Sequence, residues 1–284
     1  MDRDQRIIPR RRLLQPDRRA SELSGFTAIV RRDLVAVLRS RSQLYSSLLL
    51  PLMLLALLGT GVSDGLEPSA LEDGDYTSFL VPGMIVMAAL FSSTFASASF
   101  YQDRNNGMLR QMLVSPAPSL VVLGGKVMAA VIIGSLQALT ILLVGAVIPG
   151  IDLAWQYGAA AGIVLAVAGI VLINVLVCAL SLLLATRIRT MQGFHLVMNL
   201  VLFPLLFLSG AFFPLDDLPI WLKVLAYLNP LTYPIDMLHL IVYSSDSDGY
   251  VGLLPDTAII LICLGALLWP VTRTRASRLA LVGA

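Results

Sequence analysis

Long uncharged apolar runs alternate with short charged segments along this chain. Six stretches, at 44–62, 79–101, 118–148, 157–185, 194–213 and 254–272, hold no Lys, Arg, Asp or Glu apart from Lys126 near one end of the third and Asp256 near one end of the sixth. A helix needs about 20 apolar residues to cross a hydrocarbon core of about 30 Å, and a charge at its centre costs about 2.5–3.5 kcal/mol. The pattern therefore predicts an all-α polytopic membrane protein with six transmembrane helices.

Before the first run the period changes. Phe26, Ile29, Val30, Leu34, Val37 and Leu38 recur at helical spacing while Arg31, Arg32, Arg39 and Arg41 fill the gaps, which predicts an N-terminal amphipathic interface helix over 24–43. Residues 1–23 carry Arg10, Arg11, Arg12, Arg18 and Arg19 beside Pro9 and Pro16 and have no apolar period up to residue 20, so a basic, mobile tail is expected. The membrane domain is expected to fill 44–276, with a short C-terminal tail at 277–284.

Charge gives the orientation. Of the twenty Lys and Arg residues, all but Lys223 fall in segments that simple alternation of the six spans puts on one side. Cytoplasmic loops carry the basic excess. Both termini, 102–117 and 186–193 are thus expected in the cytoplasm, and Asp64, Glu67, Glu72, Asp73, Asp75, Asp152, Asp216, Asp217, Asp236, Asp246 and Asp248 outside.

Composition agrees, since 57% hydrophobic, 13% charged and a mean hydropathy of +0.82 leave too little polar surface for a soluble domain. The net charge of +2 is then topological, and no nucleic-acid partner is expected. Cys178 and Cys263 lie inside apolar spans, where they read as small hydrophobes. More than forty residues precede the first apolar run, so it is expected to be an uncleaved helix and not a signal peptide. Gln137 and Asn174 read as interhelical hydrogen bonders, and His195 as an interfacial one.

Two segments carry more specific information. Residues 102–117 form a short helix-like stretch with Leu109, Met112 and Leu113 on one side, ended by Ser115 and Pro116; an exposed apolar stripe of that kind needs a partner to bury it. Further on, Leu208-Ser209-Gly210-Ala211-Phe212-Phe213-Pro214 is followed by Leu218-Pro219-Ile220-Trp221-Leu222 and Leu228-Asn229-Pro230-Leu231-Thr232-Tyr233. This reads as a helix broken at Pro214 and two short amphipathic helices, near Leu218–Leu228 and Leu231–Tyr243, dipping back into the membrane between the fifth and sixth spans. Asp217 is expected to cap the first of them, and replacing Asn229 and Pro230 by Ala is expected to fuse or reorient the pair.

Both segments resemble the type-2 ATP-binding-cassette (ABC-2) export permeases. In the first, Asp103, Arg104, Gly107, Leu109, Leu113, Val114, Ser115 and Pro116 match the family pattern, while Arg110 sits where an acid is common. The Phe-Phe-Pro match and long outer insert look most like daunorubicin-resistance-type drug or lipid exporters. The resemblance implies a permease dimer, of two copies or of paralogues, whose loop helices dock on a cytoplasmic ABC ATPase subunit. On that basis the ATPase-coupling residues are expected to be Phe26, Arg31, Arg104, Gly107, Leu109, Leu113 and Pro116. A translocation path between the second and fifth spans would use Ser92, Ser93, Phe95, Ser99, Asn199 and Phe203. Phe212, Phe213, Pro214, Asp217, Asn229 and Pro230 would form an outer gate.

Gly125-Lys126 lacks the first glycine and the hydroxyl of a phosphate loop, with Leu120 and Val127 at those places, so ATP and Mg are expected on the partner and no cofactor on this chain. No catalytic or metal-ligating constellation is legible, because the two histidines, His195 and His239, are expected on opposite sides. A secondary carrier would keep ionisable residues at mid-membrane, and an intramembrane enzyme would need a nucleophile with a base. The expected function is export of a drug-like, lipid or glycan substrate from the cytoplasm across a bacterial inner membrane.

Overall fold

The computed structural model describes residues 18–63, 76–108, 119–148, 151, 155–188, 190–216, 218–242 and 251–273. Within them the regular structure is helical: α1 Arg18–Arg39, α2 Arg41–Ser63, α3 Tyr76–Asn105, α4 Ser119–Val147, α5 Ala159–Arg187, α6 Met191–Phe207, α7 Ile220–Leu228, α8 Thr232–Val242 and α9 Leu253–Arg273. Arg104, Lys126 and Arg187 gather at one end of the bundle, called here the basic end; Asp216, Asp236 and Asp256 lie at the other.

Length and apolarity support three or four of the six expected crossings. Among the described residues three helical stretches are long and apolar enough to cross, Tyr76–Asn105, Val121–Val147 and Ala159–Ala185, and a fourth exists if α1 and α2 count as one span bent by 65°. The remaining apolar helices, Met191–Phe207 and Leu253–Trp269, are shorter. At 1.5 Å per residue, α6 reaches only about 26 Å against a core of about 30 Å. It stops early because the chain turns at Gly210, whose φ of 83° is left-handed, and reaches Pro214 four residues later.

α3 is the central element. Leu80, Val81, Met84, Ile85, Val86, Ala88 and Ala89 are all fully buried, and α2, α4, α5, α6 and α8 pack around the helix. Two glycines set how closely neighbours approach. A Cβ on Gly83 would lie 2.5 Å from the Ala211 carbonyl oxygen, so only glycine lets α3 pass the segment after α6. A Cβ on Gly134 would lie 2.0 Å from Asn174 Oδ1, so α4 leaves room there for an amide of α5. Gly83→Ala must push backbone and not a side-chain end. It is expected to destabilise by about 1–3 kcal/mol, measurable as a lowered unfolding midpoint in detergent, whereas Gly61→Ala, with open space around it, should do little.

The outer faces remain apolar. Tyr45, Leu49, Met53 and Leu57 form an exposed stripe along α2, and Ile163, Val164, Val167 and Val171 another on α5. Contiguous apolar surface on several helices is what a lipid solvent requires and water forbids. Cys178 is buried and Cys263 partly so, both as free thiols.

Some polar side chains close or open helix ends. The Tyr101 hydroxyl lies 3.0 Å from both the Ala185 and Ile188 carbonyls, closing the last turn of α5, while Thr190 accepts the Gly193 N–H to open α6. Gln137 does bridge helices, donating to Ser47 Oγ of α2 at 2.6 Å, but the Asn174 amide turns back to Ile170 of its own helix at 2.8 Å. In-helix bonding replaces the expected interhelical one there, because the Asn174 Nδ2 reaches its own i−4 carbonyl without leaving α5.

Candidate functional site

Three arrangements could serve transport, and α3 contributes residues to the first two. The first is a ring of four charges at the basic end. Arg32 contacts Asp33 Oδ1 at 2.7 Å and Asp103 Oδ2 at 2.5 Å, and Lys126 contacts Asp33 Oδ2 at 3.1 Å and Asp103 Oδ2 at 2.5 Å. Cations and anions alternate around the ring, so its net charge is zero. Lys126 is 4% exposed, Asp33 7% and Asp103 9%, which makes every bond here a substitute for lost hydration. Ser99 Oγ accepts the third Lys126 proton at 3.1 Å. Burial opposes the Arg32 charge, and its hydrogen bonds to Asp103 and Asp33, with the attraction of both carboxylates, outweigh it, holding its pKa above the ordinary value.

Helix geometry puts these groups together. α1 lies along the first turns of α4, where Gly124 and Gly125 present no side chains: a Cβ on Gly124 would sit 3.7 Å from the Phe26 ring and one on Gly125 3.0 Å from Ile29. The amphipathic face of α1 is therefore covered by α4. One turn past Ile29, Asp33 meets Lys126, the only Lys or Arg among the described residues of α4.

The second arrangement is a narrow groove of about 30 Å³ between α3 and α6, lined by Leu90, Phe91, Thr94, Asn199 and Phe203 among others. Phe91 and Phe203 meet edge to face at 6.3 Å. The third is the corner at the acidic end. Asn229 Nδ2 donates to the Leu205 carbonyl at 2.5 Å while its Oδ1 accepts the Leu231 N–H at 3.0 Å. Thr232 Oγ1 donates to the Ala226 carbonyl at 2.6 Å and the Tyr233 hydroxyl to Tyr227 at 2.5 Å. Residues 229–233 thus supply the side chains that satisfy the carbonyls at the ends of α6 and α7. α7 exposes Ile220, Trp221 and Leu228, whereas α8 is almost entirely buried.

A family model for the ABC-2 type transporter matches residues 24–243, which includes most of α1, the charge ring, the groove and α8. The chain belongs to the ABC-2 type transporter family. Relatives agree over half to three quarters of the chain. The chain is 32% identical over 223 residues to ycf38 of Cyanophora paradoxa, named as a transport permease, covering 77% of this chain and 74% of that one. To the inner membrane transport permease YadH of Escherichia coli (strain K12) it is 30% identical, over 56% of this chain and 60% of the relative. To YbhR of the same strain, named as a multidrug ABC transporter permease, it is 28% identical, over 57% of this chain and only 43% of YbhR.

The residues expected to serve this ABC-2 permease fall in different places. Among those expected at the ATPase, Phe26 packs on α4, Arg31 is exposed beside the ring, and Arg104 follows Asp103 at the end of α3. Gly107 has a left-handed φ of 71° that ends the helix. Leu109, Leu113 and Pro116 lie outside the described residues. The six expected path residues divide. Asn199 and Phe203 line the groove, whereas Ser92 turns to the Ala130 carbonyl of α4, Ser93 bonds Ser181 of α5 at 2.8 Å, and Ser99 serves Lys126. The side chain of Phe95 is outside the described set.

Of the expected gate, Phe212 stacks on Phe207 at 4.6 Å and its carbonyl accepts the Tyr76 hydroxyl, while Phe213 and Pro214 are partly exposed. Pro230 follows the capping Asn229. Asp217 is not among the described residues, and the N-cap position of α7 is Pro219, with no side-chain cap. Sequence reasoning missed Arg32, Asp33 and Lys126 as a unit. The available signal was Lys126 itself, a lone cation inside an apolar run.

Proposed function

We propose that this permease is the membrane subunit of an ATP-driven exporter, working as a dimer with a separate cytoplasmic ATPase. The observation that carries this reading is the path of α3. Its Asp103 is locked into the charge ring with α1 and α4, its Phe91 and Thr94 line the groove with α6 about 14–18 Å away, and its Gly83 touches the segment after α6. One helix can therefore carry a push at the basic end to the groove and to the segment after α6. The 102–117 loop, which leaves α3 just beyond Asp103, is where an ATPase would push. Asn199 and Phe203 would then face the cargo across the groove. The basic excess at one end supports a topology of six crossings with that end in the cytoplasm of a bacterial inner membrane and α7 and α8 at the outer leaflet. Drug-like molecules, lipids and glycans are the candidate cargo.

Purification with the candidate ATPase tests the reading: hydrolysis should rise with the permease present and rise further with at least one class among drugs, lipids and glycans. Leu113→Asp should abolish co-purification while leaving permease abundance unchanged, because a carboxylate in an apolar docking stripe costs on the order of 2 kcal/mol or more. Wild-type transport by that variant would remove the docking role. Single-cysteine labelling at position 110, in a background without Cys178 and Cys263, should occur only from the cytoplasm. Labelling from outside alone would overturn the orientation.

A further inference from the structure

Two carboxyl side chains are buried against each other at the acidic end. Asp236 of α8 is 2% exposed and Asp256 of α9 0%, and the two helices pack on each other and on α5. Asp256 lies within hydrogen-bond reach of Asp236, yet neither Asp256 oxygen meets a donor among the described residues. Two carboxylates offer acceptors alone, so a proton between the carboxyls is what reconciles these facts. A metal ion fits less well, because among the described residues no third His, Cys, Asp or Glu is placed to complete its ligands.

The surroundings give the two groups different roles. Asp236 Oδ2 accepts the Val251 N–H at 3.1 Å and so has a donor already. Asp256 sits in the first turn of α9, where a carboxylate could serve the helix end, but it accepts no N–H there. Asp256 is therefore the donor of the shared proton and Asp236 its acceptor. The titratable groups packed around the pair are few among the described residues. From α8, His239 Nε2 lies 3.0 Å from the Phe79 carbonyl, which can only accept, and the Tyr233 hydroxyl donates to Tyr227. From α3, the Tyr76 hydroxyl donates to Phe212. α9 adds Cys263, and α5 brings no Asp, Glu, Lys, His or Tyr, its Arg187 lying at the basic end.

We propose that Asp236 and Asp256 bind one proton between them, and that this proton latches α9 to α8. With it in place the pair carries a single charge and a hydrogen bond. Without it two negative charges face each other away from water, and the helices part. The folded state then holds a proton that the unfolded chain releases at neutral pH, so stability falls as pH rises. In the orientation proposed above, the latch faces the external medium; the bond itself does not depend on that reading.

The test uses the full-length permease, labelled with carbon-13 at the aspartate side-chain carboxyls, in nanodiscs without an ATPase. Its outcome is thus independent of the exporter reading. Infrared spectra at neutral pH should show the carbonyl stretch of a neutral carboxyl, moved by the label and, after exchange, by deuterium oxide. Asp256→Asn and Asp236→Asn should each abolish that band, because an amide N–H takes the place of the shared proton and the remaining acid ionises. Unfolding midpoints give the second readout. Between about pH 6 and about pH 9 the wild type should lose several degrees relative to Asp256→Asn, a comparison in which His239, Cys263 and the tyrosines are common to both proteins. Should Asp256→Asn fail to fold, Asp236→Asn carries the same comparison. No neutral-carboxyl band in the wild type, or a band that survives either substitution, overturns the proposal. A midpoint set by sodium or calcium and indifferent to pH also overturns it, since the ligand would then be a metal ion.

Discussion

Lys126→Met should destabilise the folded permease by about 3–5 kcal/mol, the range expected when one partner is removed from a buried ion pair. The substitution keeps most of the side-chain volume and removes only the charge, so packing contributes little. What remains is a pair of buried carboxylates, Asp33 and Asp103, with Arg32 alone to hold both. Arg32→Ala should cost less, because the Arg32 side chain is 31% exposed against 4% for Lys126, and solvent screens part of its role. Neutralising the whole ring separates charge from packing. The quadruple variant Arg32→Gln, Asp33→Asn, Asp103→Asn, Lys126→Met leaves no uncompensated charge and should recover most of the loss. Unfolding midpoints in detergent for the single, quadruple and wild-type proteins check this, and a single-variant loss below about 1 kcal/mol would mean that water reaches the ring.

That ring also shows where sequence reading stops. The apolar runs placed α2, α3, α4 and α5 to within a few residues, because burial in lipid demands uncharged stretches and charges mark their ends. The partners of the ring are another matter: Asp33 and Lys126 are 93 positions apart and Arg32 and Asp103 are 71 apart. No local period reports such a contact. Lys126 stood out as a charge in an apolar run, yet its partner depends on α1 lying across Gly124-Gly125, a fact of packing. The same limit divided the serines. Consecutive positions on a helix point about 100° apart, so Ser92 faces α4 and Ser93 faces α5, although both read alike as polar residues in one span. An all-buried helix such as α3 has no polar face to give its rotation away. The Asn229-Pro230-Leu231-Thr232-Tyr233 stretch was legible as a break between two helices. Its capping work was not, since the carbonyls it satisfies belong to Leu205, Ala226 and Tyr227 and are exposed only by where α6 and α7 happen to stop.

Asn229→Ala is therefore expected to be the most damaging single change at the acidic end, costing about 2–4 kcal/mol. It orphans two backbone groups at once, the Leu205 carbonyl and the Leu231 N–H, in a position where the side chain is 2% exposed. Pro230→Ala orphans nothing and should cost little, so the two residues that the sequence presents as one helix break are expected to separate on mutation. Thr232→Val, which removes one donor from the Ala226 carbonyl, should fall between them. The functional readout discriminates further. If the corner acts as an outer gate, a folded Asn229→Asp variant, which keeps the acceptor for Leu231 and loses the donor to Leu205, should transport poorly while the complex still hydrolyses ATP, because the charge ring is untouched. Parallel loss of hydrolysis would assign the corner to coupling through α6. If Pro230→Ala proved as costly as Asn229→Ala, the break would be set by the missing proline N–H, and the caps would follow from the corner without making it.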